Sequence, residues 1–135
     1  MKKLKILSLF LVLSLTGVTI ACQQGNKSSG EISTVSTAEF KSLVDQQSGV
    51  ILDVRTPEEF AEGHIPGAIN LDVNGSNFKD EIGKLDKAKS YEVYCRSGKR
   101  SLKASEMMQS EGFTKVTNLD GGILGWQEKG YPVEK

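Results

Sequence analysis

A single cysteine with cationic neighbours offers the clearest chemistry in the sequence. Cys95 is followed by Arg96, Lys99 and Arg100, which place three positive charges within five residues of the sulfur. A thiol near cationic groups at the start of a helix has its pKa lowered from about 8.5 to roughly 3.5–7.5, and the thiolate is the nucleophilic form. Gly98 allows the backbone to curl so that successive N–H groups point inward as an anion-binding nest. The pattern therefore predicts a thiolate nucleophile and a small anionic ligand.

The alternative interpretation of Cys95 is a buried structural cysteine at the end of a strand, a common role for a lone cysteine. Such a residue needs neither a glycine turn nor several cations beside it, so the neighbours favour the reactive interpretation. Cys95 is therefore the candidate catalytic nucleophile. The candidate substrate-binding residues belong to the loop that follows it: Arg96, Ser97, Gly98, Lys99, Arg100 and Ser101.

The elements around this loop alternate between helical patterns and short apolar runs from Ile32 onward. Capping-box signatures at 36–39 and 56–59 predict the starts of two helices, and strong helix formers predict another at 101–111. Weaker or shorter helical patterns cover 78–85 and 123–129. Predicted strands separate these helices at 49–54, 68–71, 91–94 and 115–118.

This alternation predicts a single α/β domain with a mainly parallel central sheet flanked by helices. Ligands of such sheets bind beyond the carboxyl ends of the strands, and Cys95 directly follows the strand predicted at 91–94. Asp53 and Arg55 come at the end of another predicted strand, so they are candidates to support the loop or to approach a substrate. His64, the only histidine, lies in a turn with glycine and proline and is interpreted as structural.

Length and charge limit the classes of function. The chain has 135 residues, which leaves no room for a second domain of ordinary size. Seventeen basic and seventeen acidic residues balance, and three of the basic ones are Lys2, Lys3 and Lys5. The rest of the chain is mildly acidic, which argues against binding nucleic acid through bulk charge. Nothing in the sequence indicates an obligate oligomer, so a monomer is expected.

The first thirty residues have the pattern of an export signal and a linker. A lysine-rich start precedes a mostly apolar stretch at 6–20, which is typical of a signal peptide and shorter than the roughly 20 apolar residues that span a bilayer. An uncleaved membrane anchor is the alternative. Thr19-Ile20-Ala21-Cys22 resembles the lipobox of bacterial lipoproteins, although that family usually has leucine where Thr19 stands. A polar stretch with glycine and serine follows at 23–30, as in a flexible tether.

These features predict three segments: a lipoprotein signal peptide at 1–21, a polar tether at 22–31 and a folded domain at 32–135. The lipobox resemblance implies that Cys22 becomes the lipidated N-terminus of an exported protein, anchored to a membrane of the bacterial cell envelope. Cys95 would then be the only free thiol. One histidine and one free thiol are too few soft ligands for a metal site, so neither a metal nor another cofactor is expected.

The folded part resembles the rhodanese family of sulfurtransferases. The resemblance covers roughly 32–133 and rests on segments that follow the family's order. Asp72 stands where many members have proline, a difference that concerns a loop and not the chemistry. The segments at 52–60 and 63–70 are similar to the family's N-terminal signature, 95–101 to its active-site loop, and 120–126 with 130–133 to its C-terminal ending.

This resemblance implies a rhodanese-like α/β domain whose cysteine carries a persulfide. Cys95 would attack the outer sulfur of thiosulfate or a similar small anionic donor, expel sulfite and hold the sulfur as a persulfide. A thiophilic acceptor, such as cyanide or a thiol, would then take the sulfur. Backbone N–H groups at 96–101 would hold the persulfide, while Arg96, Lys99 and Arg100 would attract the donor.

Three other functions share parts of this pattern. A cysteine phosphatase of the same fold has arginine six residues after the nucleophile, where this chain has Ser101, and Arg100 comes one residue earlier. A thiol–disulfide oxidoreductase would need a second cysteine close to Cys95 in the sequence. A binding module, or a carrier that delivers persulfide sulfur to a partner protein, stays open because a fold does not fix a function.

Overall fold

The computed structural model describes residues 30–135, which form five strands and five helices. The predicted signal peptide, Cys22 and most of the predicted tether lie outside the described residues. Among the helices of this range, none is long and apolar enough to cross a bilayer. The strands are β1 (Glu31–Val35), β2 (Val50–Asp53), β3 (Ile69–Asn70), β4 (Ser90–Tyr94) and β5 (Lys115–Leu119). The helices are α1 (Thr37–Asp45), α2 (Pro57–Glu62), α3 (Phe78–Gly83), α4 (Lys99–Ser110) and α5 (Gly122–Glu128).

The five strands pair in parallel in the order β1-β5-β4-β2-β3. The predicted α/β fold with a mainly parallel sheet is therefore confirmed. β4 lies at the centre, and both of its faces are buried: Tyr91 and Val93 pack in one core, and Tyr94 packs in the other. A parallel strand covered on both faces is characteristically apolar and rigidly held. Cys95, the next residue, therefore starts from a fixed position.

Two capping boxes set the starts of helices near the site, as the sequence predicts. The Ser36 side chain accepts a hydrogen bond from the Glu39 backbone N–H, and the Glu39 carboxylate accepts one from the Ser36 N–H. Thr56 and Glu59 make the same reciprocal pair at the start of α2. Such pairs satisfy N–H groups that have no partner inside the helix. The second box also fixes the carboxylate of Glu59, which accepts hydrogen bonds from Arg100 in the loop after Cys95.

The two main differences from the predicted elements are β1 and the start of α4, and the other boundaries shift by one or two residues. β1 is a strand that the apolar pattern does not reveal, because it lies at the edge of the sheet and only Ile32 and Val35 are partly buried. It begins at Glu31, one residue before the predicted domain start. α4 begins at Lys99 instead of 101, because Gly98 adopts the left-handed φ of 109° at the helix start, a conformation open to glycine. Cys95 is therefore closer to the helix than the sequence indicates.

Candidate active site

Cys95 lies between the carboxyl end of β4 and the N-terminus of α4. The residue is 1% exposed, and only Arg96, Ser97 and Gly98 separate it from the helix. The first N–H groups of a helix have no partner within the helix and carry partial positive charge. The predicted strand-to-helix position of the thiol is confirmed, and the loop directs N–H donors at it.

Hydrogen bonds from the loop surround the sulfur. The Gly98 N–H donates to Cys95 Sγ at 3.1 Å, and the Ser101 Oγ lies 3.4 Å from the same sulfur. The Ser101 hydroxyl donates its proton to the Gly98 carbonyl oxygen at 3.0 Å, and its Oγ accepts from the neutral thiol. Ser101 is fully buried, so water does not compete for its hydroxyl. When the thiol ionises, this hydroxyl has only to rotate in order to donate to the sulfur.

The loop lowers the pKa of Cys95 even though the thiol is buried. Burial by itself raises the pKa, but hydrogen bonds from the Ser101 hydroxyl and from the backbone N–H groups of Ser101, Gly98 and Ser97 outweigh it. The sequence alone predicts this effect largely from the cationic side chains. In the structure hydrogen bonds are its leading cause, because they act directly on the sulfur.

The pH dependence of alkylation tests this cause. The rate at which iodoacetamide alkylates Cys95 should rise with pH, with a midpoint below the ordinary thiol pKa of about 8.5. Mass measurement of the peptide that contains Cys95 follows the alkylation. Ser101→Ala should raise the midpoint because it removes the leading hydrogen bond. Ser97→Ala is the matched control, since Ser97 acts through its backbone N–H and keeps it. Equal midpoints for Ser101→Ala and the unmodified sequence would contradict this explanation.

Arg100 is held in an ion pair with Glu59, a contact that the sequence does not predict. Its two terminal nitrogens donate to the Glu59 carboxylate at 2.7 and 2.8 Å. The hydrogen bond from Arg100 is the main reason that the pKa of Glu59 falls to about 2. The pair stabilises the fold above the ordinary carboxyl pKa of about 4.3, and its contribution is lost as the pH falls towards 2. Within residues 30–135, Arg96 and Lys99 are exposed and form no ion pair.

The start of α5 holds the other side of the loop. The backbone N–H groups of Ile123 and Leu124 donate to the carbonyl oxygens of Cys95 and Arg96 at 2.9 and 3.2 Å. Gly122 permits this contact, because a Cβ atom there would lie 2.3 Å from the Arg96 carbonyl oxygen. With the carbonyls turned towards α5, the loop N–H groups are free to face the sulfur. Sequence reasoning identified this glycine only as part of a motif.

Asp53 and Arg55 form a buried ion pair beside the loop. Arg55 donates to both Asp53 carboxylate oxygens, at 3.0 and 2.7 Å for the closest contacts, and to the Gly63 carbonyl oxygen at 2.7 Å. Tyr94, a residue that sequence reasoning missed, accepts a hydrogen bond from the Ile65 N–H, and its ring lies under the Arg55 guanidinium. The pair thus braces the segment after β2. Arg55 also lines an open groove of about 220 Å³ that includes Arg96 and Leu124.

His64 has the contacts of a structural residue. Its Nδ1 atom lies 2.9 Å from the Phe60 carbonyl oxygen, and its ring stacks on the Phe60 ring with centroids 3.7 Å apart. Its backbone exchanges two hydrogen bonds with Glu134. These contacts tie α2 to the C-terminal segment, and none of them involves the loop at 95–101.

Comparison with known proteins identifies the family. The family model of the rhodanese-like domain matches residues 36–129. A sulfurtransferase of Allochromatium vinosum is 35% identical over 91 residues, covering 67% of this chain and 83% of that protein. Thiosulfate sulfurtransferase 18 of Arabidopsis thaliana is 34% identical over 115 residues, covering 76% and 84%. The crystal structure of a rhodanese-related protein from Thermoplasma volcanium has a TM-score of 0.67 at 32% identity, covering 76% of this chain and 97% of that one. With this match and this loop geometry, the chain belongs to the rhodanese-like domain family of sulfurtransferases.

Proposed function

We propose that this protein is a sulfurtransferase that carries sulfur as a persulfide on Cys95. It takes a sulfane sulfur from a small anionic donor such as thiosulfate and passes it to a thiophilic acceptor such as cyanide or a thiol. The observation that carries the proposal is the geometry of the Cys95 thiol, which is buried and lies in hydrogen-bond contact with the Gly98 N–H and the Ser101 hydroxyl. The same donors lower the pKa of the thiol. These donors favour a thiolate before transfer and an anionic persulfide after it.

The transfer divides into two balanced steps. The Cys95 thiolate attacks the outer sulfur of thiosulfate, the S–S bond of thiosulfate breaks, and sulfite leaves with the electron pair. Cyanide then attacks the outer sulfur of the anionic persulfide, and Cys95 leaves as the thiolate, with thiocyanate as product. Neither step requires an external oxidant or a metal, and dividing the reaction in this way is covalent catalysis.

Steady-state kinetics test the proposal against its alternatives. A covalent sulfur intermediate requires ping-pong kinetics, so double-reciprocal plots against thiosulfate at several cyanide concentrations should be parallel. A cysteine phosphatase would instead release phosphate from an aryl phosphate and leave thiosulfate intact. The pairing of Arg100 with Glu59 argues against that activity, because the arginine is not free to bind a phosphoryl group. Phosphate release without thiocyanate formation would overturn the proposal.

The ion pair of Arg100 should tune the capture of the donor. Glu59→Gln is expected to release the Arg100 charge and to lower the KM for thiosulfate by at most about fivefold at low salt, since a charge pair near the surface is worth about 0.2–1 kcal/mol. Adding salt should erase the difference, because the Debye length is only about 8 Å at physiological ionic strength. Glu58→Gln, which makes the same charge change at an exposed neighbour on α2, is the control. An unchanged or raised KM in Glu59→Gln would contradict this role.

We propose in addition that Cys22 carries a lipid that anchors the domain to a membrane of the cell envelope. The support is the order of basic residues, apolar run, small residue and cysteine ahead of a polar tether, the order found in export signals. Cys22→Ser should accumulate as an unprocessed precursor without fatty-acid label, whereas Cys95→Ser should label like the unmodified chain. Equal labelling of the Cys22→Ser chain would exclude the anchor.

A further inference from the structure

Glu92 is a buried acid that the sulfur chemistry does not use. It lies on the central strand β4 and is 2% exposed, and its Oε2 atom has no hydrogen-bond partner among residues 30–135. Cys95 is three positions, or about 10 Å of extended chain, farther along. A buried polar atom without a partner costs free energy, and native structures contain few of them. The unpartnered oxygen of Glu92 therefore indicates that a ligand supplies the missing hydrogen bond.

Glu92 borders an open groove of about 290 Å³ at the end of the sheet opposite the loop at 95–101. In the register of the sheet it pairs with Thr117 of β5, which pairs with Ser33 of β1. Paired residues of neighbouring strands point to the same face, so these three polar side chains form one row. Farther along the same face, α1 covers the sheet through Phe40, whose ring packs on the Tyr94 ring. Leu43 and Ser48 complete the wall on the side of α1.

The charges of the groove determine which ligands fit. Glu31 and Lys115 line its rim and are both exposed, whereas Glu92 is the buried charge. An anionic ligand would be repelled by the Glu92 carboxylate, because no buried cation of the groove offsets that charge. Calcium and magnesium require several oxygen ligands, usually with more than one carboxylate among them. Residues 30–135 contain no cluster of three acidic, histidine or cysteine side chains that could hold a metal. A monovalent cation with hydrogen-bond donors satisfies both the acid and the hydroxyls.

We propose that this groove binds a small primary amine in its ammonium form, with Glu92 as the counter-ion. An ammonium group has three N–H donors, one for the Glu92 carboxylate and two for the hydroxyl oxygens of Ser33, Thr117 or Ser48. Leu43 gives a short alkyl chain an apolar surface to contact. The site is separate from the sulfur-transfer site, so it stands or falls independently of the proposed function.

Binding should favour the ionised form of Glu92. Burial raises the pKa of Glu92, so the empty groove favours the protonated acid more than water does, and an ammonium ion favours the carboxylate. The affinity should therefore rise with pH through the titration of Glu92, with Glu31 and Lys115 as the other titratable groups of the groove. Calorimetry in buffers of different ionisation enthalpy measures how many protons are released on binding.

The test uses calorimetric titration of the full chain with n-propylammonium, and with n-propanol as an uncharged analogue of the same shape. Propylammonium should bind and propanol should not. Glu92→Gln should weaken the binding about tenfold or more, because it replaces a charge-assisted hydrogen bond with a neutral one. Glu31→Gln, which removes the same charge at the exposed rim, should change the dissociation constant by less than about threefold.

Three calorimetric outcomes would overturn the proposal: no binding of propylammonium, equal binding of propanol, or equal losses in Glu92→Gln and Glu31→Gln. The last result would mean a diffuse surface charge in place of a site. A measurement that needs no variant is the NMR contact between propyl protons and the methyl groups of Leu43 and Thr117. These contacts should appear in the unmodified chain, and their absence with the amine bound elsewhere would also reject the site.

Discussion

Cys95→Ser is expected to abolish thiocyanate formation from thiosulfate and cyanide, a loss on the order of 10⁴-fold or more. A serine hydroxyl is not ionised near neutral pH and cannot store a sulfane sulfur. The same N–H donors would still surround the hydroxyl, so binding of the donor anion should survive the loss of turnover. Turnover measured by thiocyanate formation, and thiosulfate binding measured by calorimetry, separate the two effects.

Cys22→Ser provides the matched control for this substitution, because it removes the other cysteine of the chain. It should leave the kinetic constants of thiocyanate formation unchanged. The Cys95→Ser chain should also unfold at nearly the same temperature as the unmodified chain, since the substitution preserves the shape of a buried residue. Substantial turnover in a folded Cys95→Ser chain would show that another group carries the sulfur.

Gly122→Ala is expected to displace the loop at 95–101 and lower activity while leaving the Cys95 side chain chemically unchanged. Gly122 has a φ of 58°, and the new Cβ atom would lie 2.3 Å from the Arg96 carbonyl oxygen and 2.6 Å from that of Cys95. These backbone atoms cannot move without carrying the loop away from the start of α5. We expect a loss of stability of about 3 kcal/mol or more and about a 100-fold fall in kcat/KM, because misplacement by about 1 Å costs that much.

Gly121→Ala separates the clash from backbone strain. Gly121 also has a positive φ, 77°, yet no atom beyond its chain neighbours lies within 4 Å of its added Cβ. This variant should therefore lose only about 1–2 kcal/mol of stability, the cost of a left-handed alanine, and should keep most of its activity. Similar effects at both glycines, in denaturant unfolding and in kinetics, would mean that the contact between α5 and the loop is unimportant.

The local features of the site are predictable from sequence because neighbouring residues produce them. The strand before Cys95, the glycine turn at Gly98 and the capping box at Thr56 and Glu59 each depend on a few adjacent side chains. Their order also gives the parallel sheet, since alternating strands and helices leave few other arrangements. The position of the nucleophile follows directly from these two facts.

Features that depend on distant residues are not predictable in this way. Arg100 and Glu59 are 41 positions apart, and only the fold shows that they pair and so leave Arg96 and Lys99 as the exposed cations of the loop. The contact of Gly122 with Arg96 is of the same kind. β1 escapes prediction because an edge strand needs few apolar residues. The burial of Glu92 is likewise not predictable from the neighbouring residues of the sequence.

The persulfide on Cys95 is the central claim, and intact-mass measurement tests it most directly. After incubation with thiosulfate and removal of excess donor, the chain should gain the mass of one sulfur atom, and peptide mapping should locate the gain at Cys95. Cyanide should then remove it as one equivalent of thiocyanate, and Cys95→Ser should show neither change. A mass that stays constant with thiosulfate and with every other sulfane donor, in a correctly folded chain, would contradict the account.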